Sequence, residues 1–466
     1  MSDAARSYRF HPLERRGVVL GLGAAQVGTL ATGAVVAFVA IQAGGGLVAA
    51  AAVLALAAAL ALVPVGGRSS VDWTPVAARW LINSVSPVKA RAGCCAPPSG
   101  VRILAAPDAP GDGELGVVHD RRSGAWAAVM PLDGPPFSLL DTEDKQRQLA
   151  AWGAVLASTC RPSSPVYRIQ WVQRAHPPDL DAVRAHLTGG RAAKAAPAAL
   201  HGYADLLTSA ETGAGGHEVL LVVAVHPKRA GRQLRSFGPG RGGVCGLLRR
   251  ELRLVAGQLR RAGIEPSQPL DVAGVAAAIR RGYEPAAGAR PRTGGQRSAW
   301  PMAWRDGWAA AHVDGRWHAT SWVAEWPRVE VGPDFLAPLL LVGGARVVAL
   351  TMVPVPPRLA VRDAESARTA ELADEELRRR AGFLATARHR RRAEGVATRE
   401  AELADGHGEL RFSGYVAVSG ATPEELDATA AGVEAVAQQC GLELRRLYGQ
   451  QAEALTWTLP LGRGVA

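Results

Sequence analysis

The runs GVVLGLGAAQVGTLATGAVVAFVAI at positions 17–41 and LVAAAAVLALAAALALVPV at positions 47–65 decide the architecture of this chain. Neither carries a charged residue. About 20 apolar residues, rising ~1.5 Å each in a helix, cover the roughly 30 Å hydrocarbon core of a bilayer. A helix satisfies its own backbone groups in lipid, so both runs are expected to be transmembrane helices. Only Gln42-Ala43-Gly44-Gly45-Gly46 joins them, which permits a tight hairpin and little else. A cleaved signal peptide is the competing reading, but it needs one short apolar core and a cleavage site, not a second run following at once. A hairpin buried in a soluble core is the other alternative. Arg6, Arg9, Arg15 and Arg16 precede the first run; Arg68, Arg79, Lys89 and Arg91 follow the second; the connection has no charge. The positive-inside bias then puts both termini in the cytoplasm, with two spans in the inner (plasma) membrane. Gly28, Gly33, Ala34 and Ala37 allow the two helices to approach closely.

Working outward, residues 1–67 form the hairpin and 68–97 a juxtamembrane segment. Trp73, Val76, Ala77, Trp80 and Leu81 recur at helical spacing. Tryptophan favours the headgroup level, so this helix either lies along the membrane or packs on the body as an ordinary amphipathic helix. Cys94-Cys95 are adjacent and follow a basic stretch. Palmitoylation is one reading; two thiols in a reducing loop are the other.

The 466-residue chain carries 53 Lys+Arg against 42 Asp+Glu, a net +11, which fits an anionic membrane face or nucleic acid. Five Cys exclude a disulfide scaffold. The remaining chain reads as a cytosolic α/β (α+β) body built of ferredoxin-like pieces in two units, 98–288 and 298–466. In the first unit, Leu115–Met130 reads as a hairpin closed by Arg121-Arg122-Ser123-Gly124, and Asp141 opens a helix through Trp152 and Leu156. Val166–Val172 alternates as a half-buried strand, and Glu218–Val225 reads as a central apolar one. Helices are expected around Leu200–Thr208, over Leu247–Ala262 and over Leu270–Arg281. Arg290–Gly295 reads as a linker.

In the second unit, Asp314-Gly315 is a two-residue hairpin turn between Ala309–Val313 and Arg316–Trp326. Trp322, Ala324 and Trp326 are expected on one strand face, packed in the sheet or, alternatively, stacking on single-stranded nucleic acid. Ala345–Val353 and Leu410–Val418 read as strands, and Thr422-Pro423-Glu424-Glu425 as the cap of a helix to Gln439. A last strand covers Leu442–Tyr448. Between the strands, 361–405 is a charge-dense helical insert. Its Arg378, Arg379 and Arg380, with Arg388, Arg390, Arg391 and Arg392, are the candidate contact residues. They would grip phosphates, or belong to a solvated helical hairpin that docks a partner.

Catalytic signatures are missing. None of Lys89, Lys145, Lys194 and Lys228 follows a glycine, so no phosphate-cradling G-x-x-x-x-G-K-[ST] loop exists. No H-E-x-x-H, C-x-x-C or G-x-S-x-G occurs either. Phe237–Gly243 is Gly-rich and basic and reads as a flexible loop. His312 and His318 flank a turn without a third ligand in view, and Cys160, Cys245 and Cys440 read as buried small hydrophobes. No catalytic residue, cofactor or metal is expected.

Several short motifs, in order, carry a family resemblance. They are Arg9-Phe10-His11-Pro12-Leu13-Glu14-Arg15-Arg16-Gly17, Pro136-Phe137-Ser138-Leu139-Leu140-Asp141, Trp152-Gly153 with Leu156, and Arg168-Ile169-Gln170-Trp171. They continue with Tyr283-Glu284-Pro285, Trp317-His318-Ala319-Thr320-Ser321-Trp322, Leu447-Tyr448-Gly449-Gln450-Gln451 with Ala454, and Leu459-Pro460-Leu461-Gly462. This layout resembles a group of actinobacterial integral-membrane proteins encoded with conjugation-type secretion genes. It is also similar to a small membrane-hairpin subunit fused to the non-catalytic N-terminal half of type IV secretion ATPases, the motor domain being absent. The resemblance implies a non-enzymatic inner-membrane scaffold of a conjugative DNA-transfer or type IV-like secretion apparatus. It would form an oligomeric complex and anchor a platform for a separate ATPase. The alternatives are a membrane-tethered nucleic-acid-binding module that contacts DNA, and a membrane subunit of a type VII-like secretion complex.

Overall fold

The computed structural model describes residues 23–44, 46–65, 68–85, 100–107, 113–133, 137–176, 216–285, 299–380, 382 and 386–465. The Arg9–Gly17 motif, Cys94-Cys95, the helix expected around Leu200–Thr208 and the Arg290–Gly295 linker lie outside them.

Helix α1 spans Ala24–Gln42 and α2 spans Gly46–Leu62. They run antiparallel: Gln26 Nε2, near the start of α1, donates to Ala61 O, near the end of α2, at 2.8 Å. Gly33 permits the close crossing, since a Cβ there would stand 2.4 Å from Ala57 Cβ. Ala25–Gln42 is long and apolar enough to cross a membrane. At 17 residues, α2 is shorter than the run expected over Leu47–Val65. Pro64 ends it, because the residue before a proline is pushed out of helical geometry. The chain then reverses, with Pro64 paired to Ser69 and Val65 to Arg68, and enters α3 (Ser70–Val85).

The rest of the described chain is a mixed helix and antiparallel-sheet body. Its twelve strands are β1 (Val101–Ala105), β2 (Gly116–Asp120), β3 (Ala125–Asp133), β4 (Val166–His176), β5 (Gly216–Val225) and β6 (Glu265–Pro266). They continue as β7 (Trp304–Asp306), β8 (Ala311–Val313), β9 (Arg316–Glu325), β10 (Arg346–Pro354), β11 (Leu410–Gly420) and β12 (Glu443–Arg446). The order is β1-β2-β3-β5-β4-β10-β11-β9-β8-β7, with β6 on β3 and β12 on β9. The second run retraces the first in reverse about the β4–β10 seam. There Ile169 to Ala175 pair antiparallel with Met352 to Arg346. The described strands of 98–288 and of 298–466 therefore share one sheet.

One sheet face is covered by α4 (Thr142–Thr159) and α7 (Gly240–Arg261), which pack Val155, Leu248 and Leu252 on Met130, Leu221 and Val223. On the second half, α9 (Ala337–Leu341) and α12 (Pro423–Gln439) pack Leu339, Leu426 and Val433 on Val348 and Val416. The opposite face takes α8 (Val272–Tyr283), α13 (Gln451–Trp457) and the chain after α13. There Ile279, Leu459 and Leu461 pack with Val172, Leu220, Val222 and Ala349. Short α5 (Pro227–Ala230) and α6 (Arg232–Ser236) lead into α7.

Local chemistry explains the element ends. Asp141 and Asp271 accept the N–H of Asp144 and Gly274, capping α4 and α8. Thr422 Oγ1 accepts from Glu425 N at 3.2 Å, and the Glu425 carboxylate accepts from Ala421 N at 2.7 Å, bracing α12. Asp314 (φ 47) and Gly315 (φ 85) are both left-handed, as a two-residue turn matching the strand twist requires. Phe237–Gly243 differs from expectation: α7 begins at Gly240, so much of the stretch is its first turn. Gly243 is forced, because a Cβ would lie 2.0 Å from Gly238 O. Trp322 and Trp326 also differ. A bulge between Val323 and Glu325 breaks the alternation, so Trp322 packs beside Tyr415 and Leu447 while Trp326 joins Val323 and Phe412.

Candidate interaction surfaces

Strand β10 is connected to β11 by a helical hairpin, α10 (Pro357–Arg380) and α11 (Ala387–Ala404). Ala360, Ala364 and Ala367 are buried at spacings of 4 and 3, a narrow seam that lets α11 approach with Val396. Arg411–Asp363 (2.8 Å) and Arg399–Glu409 (2.7 Å) brace its base, and Arg368–Glu400 (3.8 Å) crosses between the helices. The seven candidate arginines stand at the other end. Arg378, Arg379 and Arg380 close α10, where the helix dipole favours cations. Arg378 pairs with Asp374 at 2.9 Å, and Arg379 and Arg380 both pair with Glu376. Arg388, Arg390, Arg391 and Arg392 open α11, where the dipole disfavours them. Arg390 and Arg391 are exposed; the side chains of Arg388 and Arg392 lie outside the described set. Positions 377–392 hold these seven arginines and no acid, so the tip is cationic even though the arm as a whole is mixed.

The second surface is the α1–α2 hairpin. Its inner residues are small, with Ala37, Ala50, Ala57 and Ala61 buried. Its outer surface mixes exposed alanines with large apolar residues: Leu47 is 79% exposed, Val48 85% and Phe38 62%. No charge occurs anywhere from Gly23 to Val65.

Among the described residues, no group of three or more His, Cys, Asp or Glu is placed to hold a metal ion. Strand alternation separates the two candidate histidines. His318 faces Ala311 across the ladder and is buried, its Nδ1 2.8 Å from Ser419 Oγ; His312 pairs with Trp317, the two rings tilted at 38° with centroids 4.6 Å apart. Cys160, Cys245 and Cys440 are buried, and burial pushes each thiol pKa up, away from the reactive thiolate. A cleft of about 780 Å³ lies between α7 and the segments 113–115 and 267–269. Its Arg249 is spent on the carbonyls of Gly113 and Pro107.

A polar layer beneath α8 and the C-terminal segment was not visible in the sequence. Arg174 is fully buried, and burial pushes its pKa down to about 10 against the pull of Glu218. Glu218 lies 3.3 Å from Arg174 and 2.6 Å from Arg281. Gln170 holds the chain after α13 with both amide ends, donating to Trp457 O and accepting from Gly462 N. Thr351 donates to Arg463 O, and Tyr415 OH both donates to Val465 O and accepts from Val465 N. An alternation of polar residues in a strand reads as a solvent face, which is how this layer escapes a sequence reading. Its groups position the final segment rather than converge on an open site. No family model and no curated protein matches this chain.

Proposed function

We propose that the chain is a non-enzymatic scaffold subunit of the inner membrane, with α1 and α2 as a transmembrane hairpin and the sheet body as a cytosolic platform. The uncharged hairpin carries this reading, because every large apolar residue from Leu54 to Leu62, and Val35, Val36, Phe38 and Val39, is turned outward while the helix contact is made by alanine and glycine. Each exposed Leu, Val or Phe forgoes about 1.5–3 kcal/mol in water that hydrocarbon would return. The arginines flanking the hairpin support cytoplasmic termini.

The body is read as two ferredoxin-like units. With the short α5 and α6 and the α10–α11 arm set aside as insertions, β3-α4-β4-β5-α7-β6 folds in the order β6-β3-β5-β4, and β9-α9-β10-β11-α12-β12 in the order β12-β9-β11-β10. These orders support a βαββαβ plan for each unit, and the β4–β10 pairing would then be the seam between them. By the motifs quoted above, the scaffold belongs to a conjugative or type IV-like secretion apparatus and receives a separate ATPase. Purification of the full chain from membranes tests this. Copurification of a motor ATPase supports it, recovery with components of a type VII-like complex favours that alternative, and a monomer in the aqueous fraction overturns it.

One observation favours a second reading, a tethered nucleic-acid-binding module: the acid-free tip at 377–392. Phosphate binding by about four to seven arginines would give a steep fall of DNA affinity with salt. Undetectable binding at low salt excludes it.

A further inference from the structure

Helix α3 has two apolar sides. Trp73, Val76, Ala77 and Trp80 recur at i, i+3, i+4 and i+7, and Trp73, Val76 and Trp80 of this side are half-buried against the body while Ala77 is exposed. Trp73 lies 5.9 Å from the Trp308 ring and 6.2 Å from Tyr448, and Trp80 sits edge-on to Trp308 at 5.3 Å. Gly449 gives Val76 and Trp308 their room; a Cβ there would stand 2.7 Å from the Trp308 ring. On the flank, Arg79 pairs with Glu453 of α13, which also lies 3.5 Å from Arg122. Val71, Thr74, Pro75, Ala78, Leu81 and Ile82 recur at the same spacing on the other side. Leu81 is 58% and Ile82 67% exposed.

Continuity with the hairpin identifies the phase that covers this side. The reversal at Pro64–Ser69 returns the chain to the end of α2, where Ser70 Oγ bonds Val63 O. Helix α3 touches both α1 and α2, so it starts at the level where the uncharged hairpin ends. In a membrane-anchored chain that level is the boundary between headgroups and acyl chains.

We propose that α3 is a two-sided interfacial helix, clamping the sheet body through Trp73 and Trp80 while Val71, Ala78, Leu81 and Ile82 bed in the cytoplasmic leaflet. This rests on the membrane-anchor reading. It fixes the orientation of the body: the face carrying α13 looks toward the bilayer and the α7/α12 face looks away. The partner of the outer side is a lipid surface, not a protein.

The full chain, with Cys94→Ser and Cys95→Ser, is reconstituted in phosphatidylcholine–phosphatidylglycerol vesicles. Spin labels are placed singly at Ala78→Cys, Ile82→Cys and, on the outer surface of α12, Glu434→Cys; the parent must take up no label at its buried thiols. Oxygen and a water-soluble nickel chelate then report depth. Labels at 78 and 82 are expected roughly 5–10 Å below the phosphates and the label at 434 in water. If the chain stays with the vesicles but 78 and 82 relax like 434, the inference is overturned and the anchor survives. Labels at 78 and 82 shielded from both reagents, with dipolar broadening, would place a second copy there and also overturn it. If the chain leaves the vesicles, the anchor reading fails and takes this inference with it.

Discussion

Arg463 closes on Asp120 across 343 residues of chain, its Nε and Nη2 each donating to the carboxylate at 3.0 Å. A counterpart exists in the other half of the sheet, where Arg280 of α8 grips Asp314. Both aspartates stand at a hairpin turn, and both also accept backbone N–H groups. Asp120 takes that of Arg122 at 3.0 Å; Asp314 takes those of Met302 and Ala303 at 2.8 and 2.7 Å. The segment closing the second half thus holds the hairpin of the first, and α8 of the first half holds the hairpin of the second.

Truncating Arg463 to Ala leaves a buried carboxylate without its cation, which costs about 3–5 kcal/mol when one partner of a buried pair is removed. Burial alone would raise the Asp120 pKa, but the hydrogen bonds and charge of Arg463 outweigh it and hold the carboxyl below its usual range. A depressed carboxylate contributes stability above the unfolded pKa and loses it as pH falls through the folded one. Acid should therefore weaken the clamp only below about pH 4. Thermal midpoints of the detergent-solubilised chain should fall there, and Asp120→Asn should flatten that limb.

His318 acts in a higher window. Burial, with a smaller push from Arg316, takes its imidazole down to about 4. The unfolded chain binds a proton near pH 6.5 that the fold refuses, so stability falls as pH drops from about 6.5 toward 4 and is complete above that range. The full effect is on the order of 3 kcal/mol. Urea midpoints at pH 7.5 and 5 should differ in the parent and converge in His318→Asn.

Gly116 starts β2 where a Cβ would stand 2.4 Å from Asp271 O and 2.8 Å from Val272 N. Those atoms are backbone at the cap of α8 and cannot swing away. Gly116→Ala should cost about 1–3 kcal/mol through overpacking, whereas Gly113→Ala, with open space around it, should cost little. Unfolding curves of the two variants make the comparison.

Arg390 and Arg391 are exposed at the arm's tip, away from its alanine seam. Replacing both with Ser should leave the thermal midpoint within an equivalent of about 0.5 kcal/mol. If the tip binds DNA, the same variant should lower affinity and make the salt slope shallower by about two phosphates' worth.

Signals that act over a few residues were legible. The Asp314-Gly315 turn, the caps at Asp141 and Thr422, the strand at Val166 and the helical hairpin after Pro357 can all be read from spacing and turn chemistry. What escaped was set by distant contacts. Gly240–Gly243 looks like a loop by composition, and only its crowding against Gly238 O shows why a helix starts on glycines. The bulge at Val323 is invisible to a period-2 count. Nothing in Ile169–Ala175 announces that its partner is Arg346–Met352. Arg174 looks like a solvent residue until Glu218 and the Ala278 carbonyl are seen beside it. Of the candidate arginines, their common end on the arm follows from the two-helix reading; their local pairing with Asp374 and Glu376 needed side chains.

The β4–β10 seam also sets a timetable for biosynthesis. When the ribosome has delivered β4, the strand that must lie beside it is some 170 residues from being made. At roughly 5–20 residues per second that is a wait on the order of ten to thirty seconds. During it the nascent chain presents a bare strand edge carrying Val166, Ile169, Trp171 and Val172 to its neighbours. Production of this polypeptide should therefore depend on chaperone capacity more than its finished stability would suggest.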